Sequence, residues 1–152
     1  MFELPIVPSC IVSLIASLVL AYVPHIYRNY VVIKPKLTRE GKPYRIMYSR
    51  MQVENAMDGS PEGLLVARLT GCHQNSLEAF SYFSAAIGIG IASKVNLPYL
   101  DNWAFVFVFV RTLYTVNYCV GYSAALRPIF WFIGIGICIS ILLTSSRELK
   151  YV

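Results

Sequence analysis

Four stretches of this 152-residue sequence, about 5–27, 68–93, 103–127 and 129–146, supply the ~20 mostly apolar residues that a helix needs to cross a ~30 Å hydrocarbon layer. They fill most of the chain and leave little to build anything else. With 57% hydrophobic and 14% charged residues, a chain this small has too much apolar surface to hide in one soluble core. The expectation is an all-α membrane protein, a four-transmembrane-helix bundle forming one domain over 1–152, with a basic polar loop over about 28–67.

The net charge of +5 raises the question of nucleic acid, and the placement of the charge answers it. Arg28, Lys34, Lys36, Arg39, Lys42, Arg45 and Arg50 crowd between the first two spans, whereas the opposite side holds Lys94, Arg147 and Lys150. This bias puts the loop in the cytosol and both termini across the membrane. Attraction to anionic lipid headgroups accounts for the charge, and no nucleic-acid partner is expected. The N-terminal stretch carries Glu3 and no basic segment, so the first span is expected to remain as a signal anchor.

Cys10, Cys72, Cys119 and Cys138 all fall within the expected spans, with no C-x-x-C pair and no histidine at ligand spacing. They read as packed free thiols, with no metal site. In span one, Pro24 is expected to kink or loosen the last turn. His25 reads as an interfacial histidine, with the mouth of a cavity as the alternative, and Arg28 as a snorkelling stop residue. The loop, with Pro35, Gly41, Pro43, Gly59 and Pro61, is expected to be irregular and to lie on the surface. Ile-Gly-Ile-Gly-Ile occurs at 87–91 and again at 133–137 without matching surroundings, so it is no internal repeat. Ala86, Gly90, Gly136 and Ser140 are instead expected to allow close helix approach.

Two polar stripes interrupt this apolar pattern. On a helix turning ~100° per residue, Arg68, Gly71, Asn75, Glu78 and Tyr82 fall within about 80° of one another, and His73 falls well off that stripe. Arg111, Tyr114, Tyr118 and Tyr122 share a face of the third span in the same way, and Arg127-Pro128 follow. An arginine inside a membrane is costly unless it finds a partner or water. Counting ~1.5 Å per residue puts Glu78 ~15 Å and Arg111 ~18 Å from the cytosolic face, so the two charges can meet near mid-membrane. Asn75 and Tyr118 come at ~10 to 14 Å by the same count. The pair alone is equally well a structural one that fixes the bundle register. So many hydrogen-bonding groups along the same walls point further, to a polar ligand in a cleft open to the cytosol.

These residues resemble the MAPEG family of membrane-associated proteins in eicosanoid and glutathione metabolism. The family pattern is roughly Arg-Ala-His/Gln-x-Asn-x-x-Glu on the second span, then Arg-x-x-Tyr/His-x-x-x-Tyr and a later arginine on the third. Here it reads Gly71-Cys72-His73-Gln74-Asn75-Ser76-Leu77-Glu78, then Arg111-Thr112-Leu113-Tyr114-Thr115-Val116-Asn117-Tyr118 and Arg127. Tyr44-Arg45-Ile46-Met47-Tyr48 resembles the Tyr-Pro-x-Met-Tyr of the third type of microsomal glutathione transferase.

The resemblance implies a homotrimer of four-helix subunits binding glutathione at each subunit interface, in the endoplasmic reticulum by family habit, with an organellar or bacterial inner membrane also fitting the charge bias. Asn75, Glu78, Tyr114 and Tyr118 match positions that hold the tripeptide, Arg111 matches a supporting arginine, and His73 stands at the His/Gln position. Arg127 matches the catalytic arginine that stabilises the glutathione thiolate, the nucleophilic form of the thiol. The sequence departs from the pattern at Gly71, where the family has arginine; Arg68, three residues earlier on the same stripe, is the candidate replacement. The implied activity is a glutathione-dependent transferase or peroxidase acting on lipophilic electrophiles or lipid hydroperoxides. The alternative, motivated by Gly71 and the basic loop, is a non-catalytic lipid-binding protein or an accessory subunit of a larger membrane assembly.

Overall fold

The computed structural model describes residues 9–45 and 49–149. Residues 1–8, part of the Tyr44–Tyr48 segment (46–48) and residues 150–152, with Lys150, lie outside them. The described chain is helical. Helix α1 (Ser9–Ile26) starts against α5 (Leu97–Val120), whose Asp101 carboxylate accepts a 2.7 Å hydrogen bond from the Cys10 N–H. That bond satisfies one of the open donors of a helix N-terminus and places a negative charge at its positive end.

Pro24 lies inside α1 and does not end it. The winding changes to a π-helical segment over Tyr27–Ile33 and continues into α2 (Lys34–Arg39), so Ser9–Arg39 is a single rod of 31 residues, ~47 Å long at 1.5 Å per residue. The loop expected to be irregular is therefore largely helical. After the turn that follows Arg39, α3 (Ser49–Ala56) packs against the π-helical segment and α4 (Pro61–Ala92). Arg28 is also not a snorkelling residue. At 6% exposure it lies inside the π-helical segment, turned toward α4.

Helix α4 opens seven residues before the apolar run at 68. Ser60 caps it by accepting from the Gly63 N–H at 3.1 Å, and Pro61 takes the first helical position, where its missing N–H costs nothing. Gly121, at φ 75°, ends α5 in the left-handed conformation that glycine adopts without strain. The last helix, α6, is Leu126–Glu148.

Helices α4 and α5 form the middle of the bundle, packing on each other and each on both α1 and α6, which do not meet. Among the described residues three stretches are long and apolar enough to cross a membrane: Ser9–Arg39, Leu97–Val120 and Leu126–Glu148. Helix α4 is less apolar because it carries the polar residues from Arg68 to Glu78, yet at 32 residues it runs the length of the other three and packs against each of them. The core toward the end away from the basic loop is built on Phe83 stacked against Phe107, with ring centroids 3.9 Å apart, and surrounded by Ala79, Ala86, Leu100 and Ile137. The expectation of close approach at small residues holds at Gly90, where a Cβ would lie 2.8 Å from Leu100. It does not hold at Gly136, which faces open space; Gly134, two residues earlier, lies against Phe107 instead.

A second cluster, of Val32, Ile33, Val53, Ala56, Val66 and Leu69, closes the basic-loop end. Two exposed ion pairs tie the same end together, Lys36 to Asp58 at 2.5 Å and Arg39 to Glu62 at 2.6 Å. The hydrogen bond from Lys36, with those from Ser60, holds the Asp58 carboxyl well below the usual carboxylate range. Pairs this exposed contribute little to stability.

Candidate functional site

Helix α5 places Arg111, Tyr114 and Tyr118 at spacings of three and four, which stack side chains along one helical face. The Arg111 guanidinium lies 4.0 Å from the centre of the Tyr114 ring, the Tyr114 and Tyr118 rings are 5.5 Å apart, and the Arg127 guanidinium lies 4.1 Å from the centre of the Tyr118 ring. A ladder of cation, two aromatic rings and cation results, each contact favourable through the negative face of the ring.

Arg127 reaches this ladder from α6, not from the third span as the sequence suggests. Gly121 reverses the chain, and the buried Asn117 amide then clamps it: Nδ2 donates to the Ser123 carbonyl at 2.9 Å, and Oδ1 accepts from the Ser123 N–H at 3.1 Å. Those two bonds set where α6 begins and bring Arg127 back over Tyr118. Tyr122 falls past the end of α5 in this turn, 82% exposed, and leaves the face it shares in the sequence pattern.

Asn75, Tyr114, Tyr118 and Arg127 line a cavity of about 390 Å³ completed by Pro128, Trp131 and Phe132. The volume lies in the range of small-molecule sites, typically about 300–1,000 Å³. Arg111 stands behind its wall, 3% exposed, donating to Ser76 Oγ at 3.1 Å and to the Asn75 carbonyl at 3.3 Å. Its Nη1 and the Arg127 Nε are buried without a hydrogen-bond partner. Unpaired buried donors are uncommon, and the one on Arg127, whose side chain lines the cavity, calls for an acceptor there.

The pair expected between Glu78 and Arg111 does not form. Among the described residues the ion pairs are Lys36–Asp58, Arg39–Glu62 and Lys42–Glu40. Depth along a helix says nothing about direction around it: Ser76, which Arg111 reaches, lies ~160° from Glu78 on the α4 wheel. Glu78 is exposed on the outer surface of the single chain and does not line the cavity.

Arg68 does not take over from the arginine missing at position 71. Its guanidinium packs against Gly121 beyond the end of α5, with Nε buried, and it is not part of the cavity wall. Position 71 is filled from across the helix pair, because a Cβ there would lie 2.7 Å from the Tyr118 hydroxyl. Glycine is what lets Tyr118 lie over α4.

His73 belongs to a different surface. Two residues from Asn75 it points ~160° away, with Nδ1 2.8 Å from the Ala21 carbonyl and its ring 4.8 Å from that of His25. There it joins His25, Arg28, Arg50, Glu54 and Thr70 around a second cavity of about 580 Å³. Arg28 donates to Thr70 Oγ1 at 2.9 Å and to His25 Nδ1 at 3.0 Å, and its Nε donates to Asn29 Oδ1 at 3.3 Å. The buried role of Arg28 has a signal in the sequence: His25, Arg28 and Asn29 stand at helical spacings of three and four, and no breaker lies between them and Ile33. Among the described residues no group of three or more His, Cys, Asp or Glu side chains could hold a metal ion.

A family model described as the MAPEG family matches residues 10–146. Neither a curated protein nor a solved structure matches the chain.

Proposed function

The chain belongs to the MAPEG family, and on that premise we propose that it binds glutathione in the cavity between α4, α5 and α6 and uses it on apolar substrates held in the membrane. Family membership points to glutathione-linked or eicosanoid-type chemistry in a membrane helical bundle. The observation that carries the finer reading is Arg127, seated on Tyr118 at the cavity wall with a buried donor unpaired.

The donor set suits the tripeptide. Glutathione carries two carboxylates, one ammonium group and one thiol. Arg127, the Asn75 amide and the tyrosine hydroxyls supply donors, and Glu78, one turn from Asn75 and outside the single-chain cavity, would supply an acceptor for the ammonium group. A guanidinium beside the thiol favours the thiolate, which attacks an electrophile and expels its leaving group, or attacks a hydroperoxide and releases the alcohol.

A single chain gives this ligand an open half-site. Glu78 and Asn75 lie toward the outside of the bundle, and a carboxylate facing hydrocarbon is costly. His73 cannot join them within one copy, being on the opposite face of α4. A homotrimer, in which the His73 face of one copy covers the Asn75 face of the next, brings all these residues to one ligand and shields Glu78. The endoplasmic reticulum is the proposed membrane, on family habit. The likeness to the third microsomal type rests on Tyr44–Tyr48, partly outside the described residues.

The test is a titration of the purified protein with glutathione while the ultraviolet thiolate band is followed. A saturable band that Arg127→Ala abolishes, with some tripeptide affinity retained, is the expected result. No band and no calorimetric binding at millimolar glutathione would remove the enzyme reading. It would leave the second one, a lipid-binding or accessory subunit, which the Tyr118 hydroxyl standing in the place of the family arginine favours.

A further inference from the structure

Arg111 carries a charge that no carboxylate among the described residues balances, since the ion pairs there all lie at the basic-loop end. Its guanidinium is 3% exposed and stacks on the Tyr114 ring. Nη2 donates to Ser76 Oγ and the Asn75 carbonyl, while Nη1 is buried without a partner. Arg28, also buried, has Thr70, His25 and Asn29 to receive its donors. A cation held away from water without a counter-charge is among the costliest groups to bury.

Behind the wall of the larger cavity, where α1, α4 and α5 meet, lies a space of about 10 Å³. Ser17 and Ala21 line it from α1, Ser76 and Ala79 from α4, and Phe107 and Arg111 from α5. Each helix contributes residues three or four apart, the spacing that brings side chains to one face. Such a volume holds one water-sized body, and a void with polar walls, unlike an apolar one, is filled. Ser76 accepts from Arg111, so its own hydrogen is left to give. Ser17 gives its hydrogen to the Leu14 carbonyl and can turn it to the cavity instead. A water would satisfy these donors and leave the charge, whereas an anion answers both.

We propose that this cavity binds one small monovalent anion of the size of chloride, held by Arg111 Nη1 and the Ser76 hydroxyl as the counter-ion of the buried guanidinium. The walls set the selectivity. Beyond the guanidinium and two hydroxyls the lining is apolar, so an oxyanion with several oxygens finds neither the room nor the donors. The half-buried Leu20 and Phe80 close the outer side and give a halide its way in. Because Arg111 also holds the Asn75 carbonyl and the Tyr114 ring, the anion steadies the back of the larger cavity without touching what binds there. The site stands whether or not that cavity takes glutathione.

The experiment follows thermal unfolding of the full chain in detergent, without glutathione, as chloride replaces gluconate at constant ionic strength. The unfolding temperature should rise saturably with chloride, and with bromide in its place, as for any ligand that binds the folded state alone. Ser76→Ala should raise the chloride midpoint roughly tenfold, through loss of one hydrogen bond to a charged group. Arg111→Gln should make unfolding indifferent to chloride, and Lys34→Gln, on the exposed basic segment, should leave the wild-type response. Wild-type crystals grown in bromide should show anomalous scattering beside Arg111. Equal unfolding temperatures in chloride and gluconate, or an unchanged chloride response in Arg111→Gln, overturn the proposal. A density peak beside Arg111 without anomalous signal also overturns it, because the occupant is then water. Wild-type protein carries both the titration and the crystal, so a variant that folds poorly does not decide the matter.

Discussion

The two faces of α4 carry similar residues and treat them differently. On the His73 face the polar groups satisfy one another: Arg28 is held by Thr70, His25 and Asn29, and His73 contacts the Ala21 carbonyl. On the Asn75 face Arg127 stacks on the Tyr118 ring and leaves its Nε buried without an acceptor, and behind that wall Arg111 stacks on Tyr114 with Nη1 unpaired. A satisfied network specifies structure, whereas an unsatisfied one costs stability until something fills it. The contrast supports the proposed reading, in which the network around Arg28 holds the bundle together and the Asn75 face receives a ligand.

The largest expected break in that contrast is Arg28→Ala. Removing a buried guanidinium that donates three hydrogen bonds should lower stability by about 3 kcal/mol, read as a drop in thermal unfolding temperature in detergent. Arg127→Ala should do the reverse, leaving stability within about 0.5 kcal/mol of wild type while removing the glutathione thiolate band. If Arg127→Ala destabilises the protein as much as Arg28→Ala, the two faces are alike and the assignment fails.

Gly71→Ala comes next. The added Cβ meets the Tyr118 hydroxyl at 2.7 Å, and because that hydroxyl ends a flexible side chain the ring should swing aside at little cost in stability. Glutathione affinity should fall several-fold, about 1 kcal/mol by calorimetry. Unchanged affinity would mean that Tyr118 is not part of the site. The smallest effect is at the basic-loop end. The Asp58 carboxyl is held low by Lys36 in the folded chain, so its contribution is present above the ordinary carboxylate pKa and is lost as pH falls through the lower folded value. Asp58→Asn should therefore change stability slightly at neutral pH and make no difference under strongly acid conditions.

Much of the Asn75 face was legible because its signals are local. The spacing of Arg111, Tyr114 and Tyr118 fixes a shared helical face whatever surrounds it, and apolar length announces the long helices. What escaped depends on direction between helices or on chain reversal. Glu78 and Arg111 match in depth, yet the sequence holds nothing to say that Arg111 turns to Ser76. The expected third span ran to 127 because the stretch around Gly121 stays apolar, and only the Asn117 clamp on Ser123 shows that α6 has taken Arg127. Arg28 was misread because a basic residue after an apolar run usually ends a span, while here the helix continues to Arg39 and buries it.

The central claim, that the Asn75 face of one copy is completed by the His73 face of another, is tested most directly by mixing subunits. Asn75→Ala and His73→Ala chains, each expected to bind glutathione poorly alone, are dissociated and reassembled together. Random assembly should restore about a quarter of the sites to wild-type affinity, since an intact His73 face then meets an intact Asn75 face at that frequency. Binding no better than that of the two separate variants, or full affinity in His73→Ala alone, would contradict the shared site.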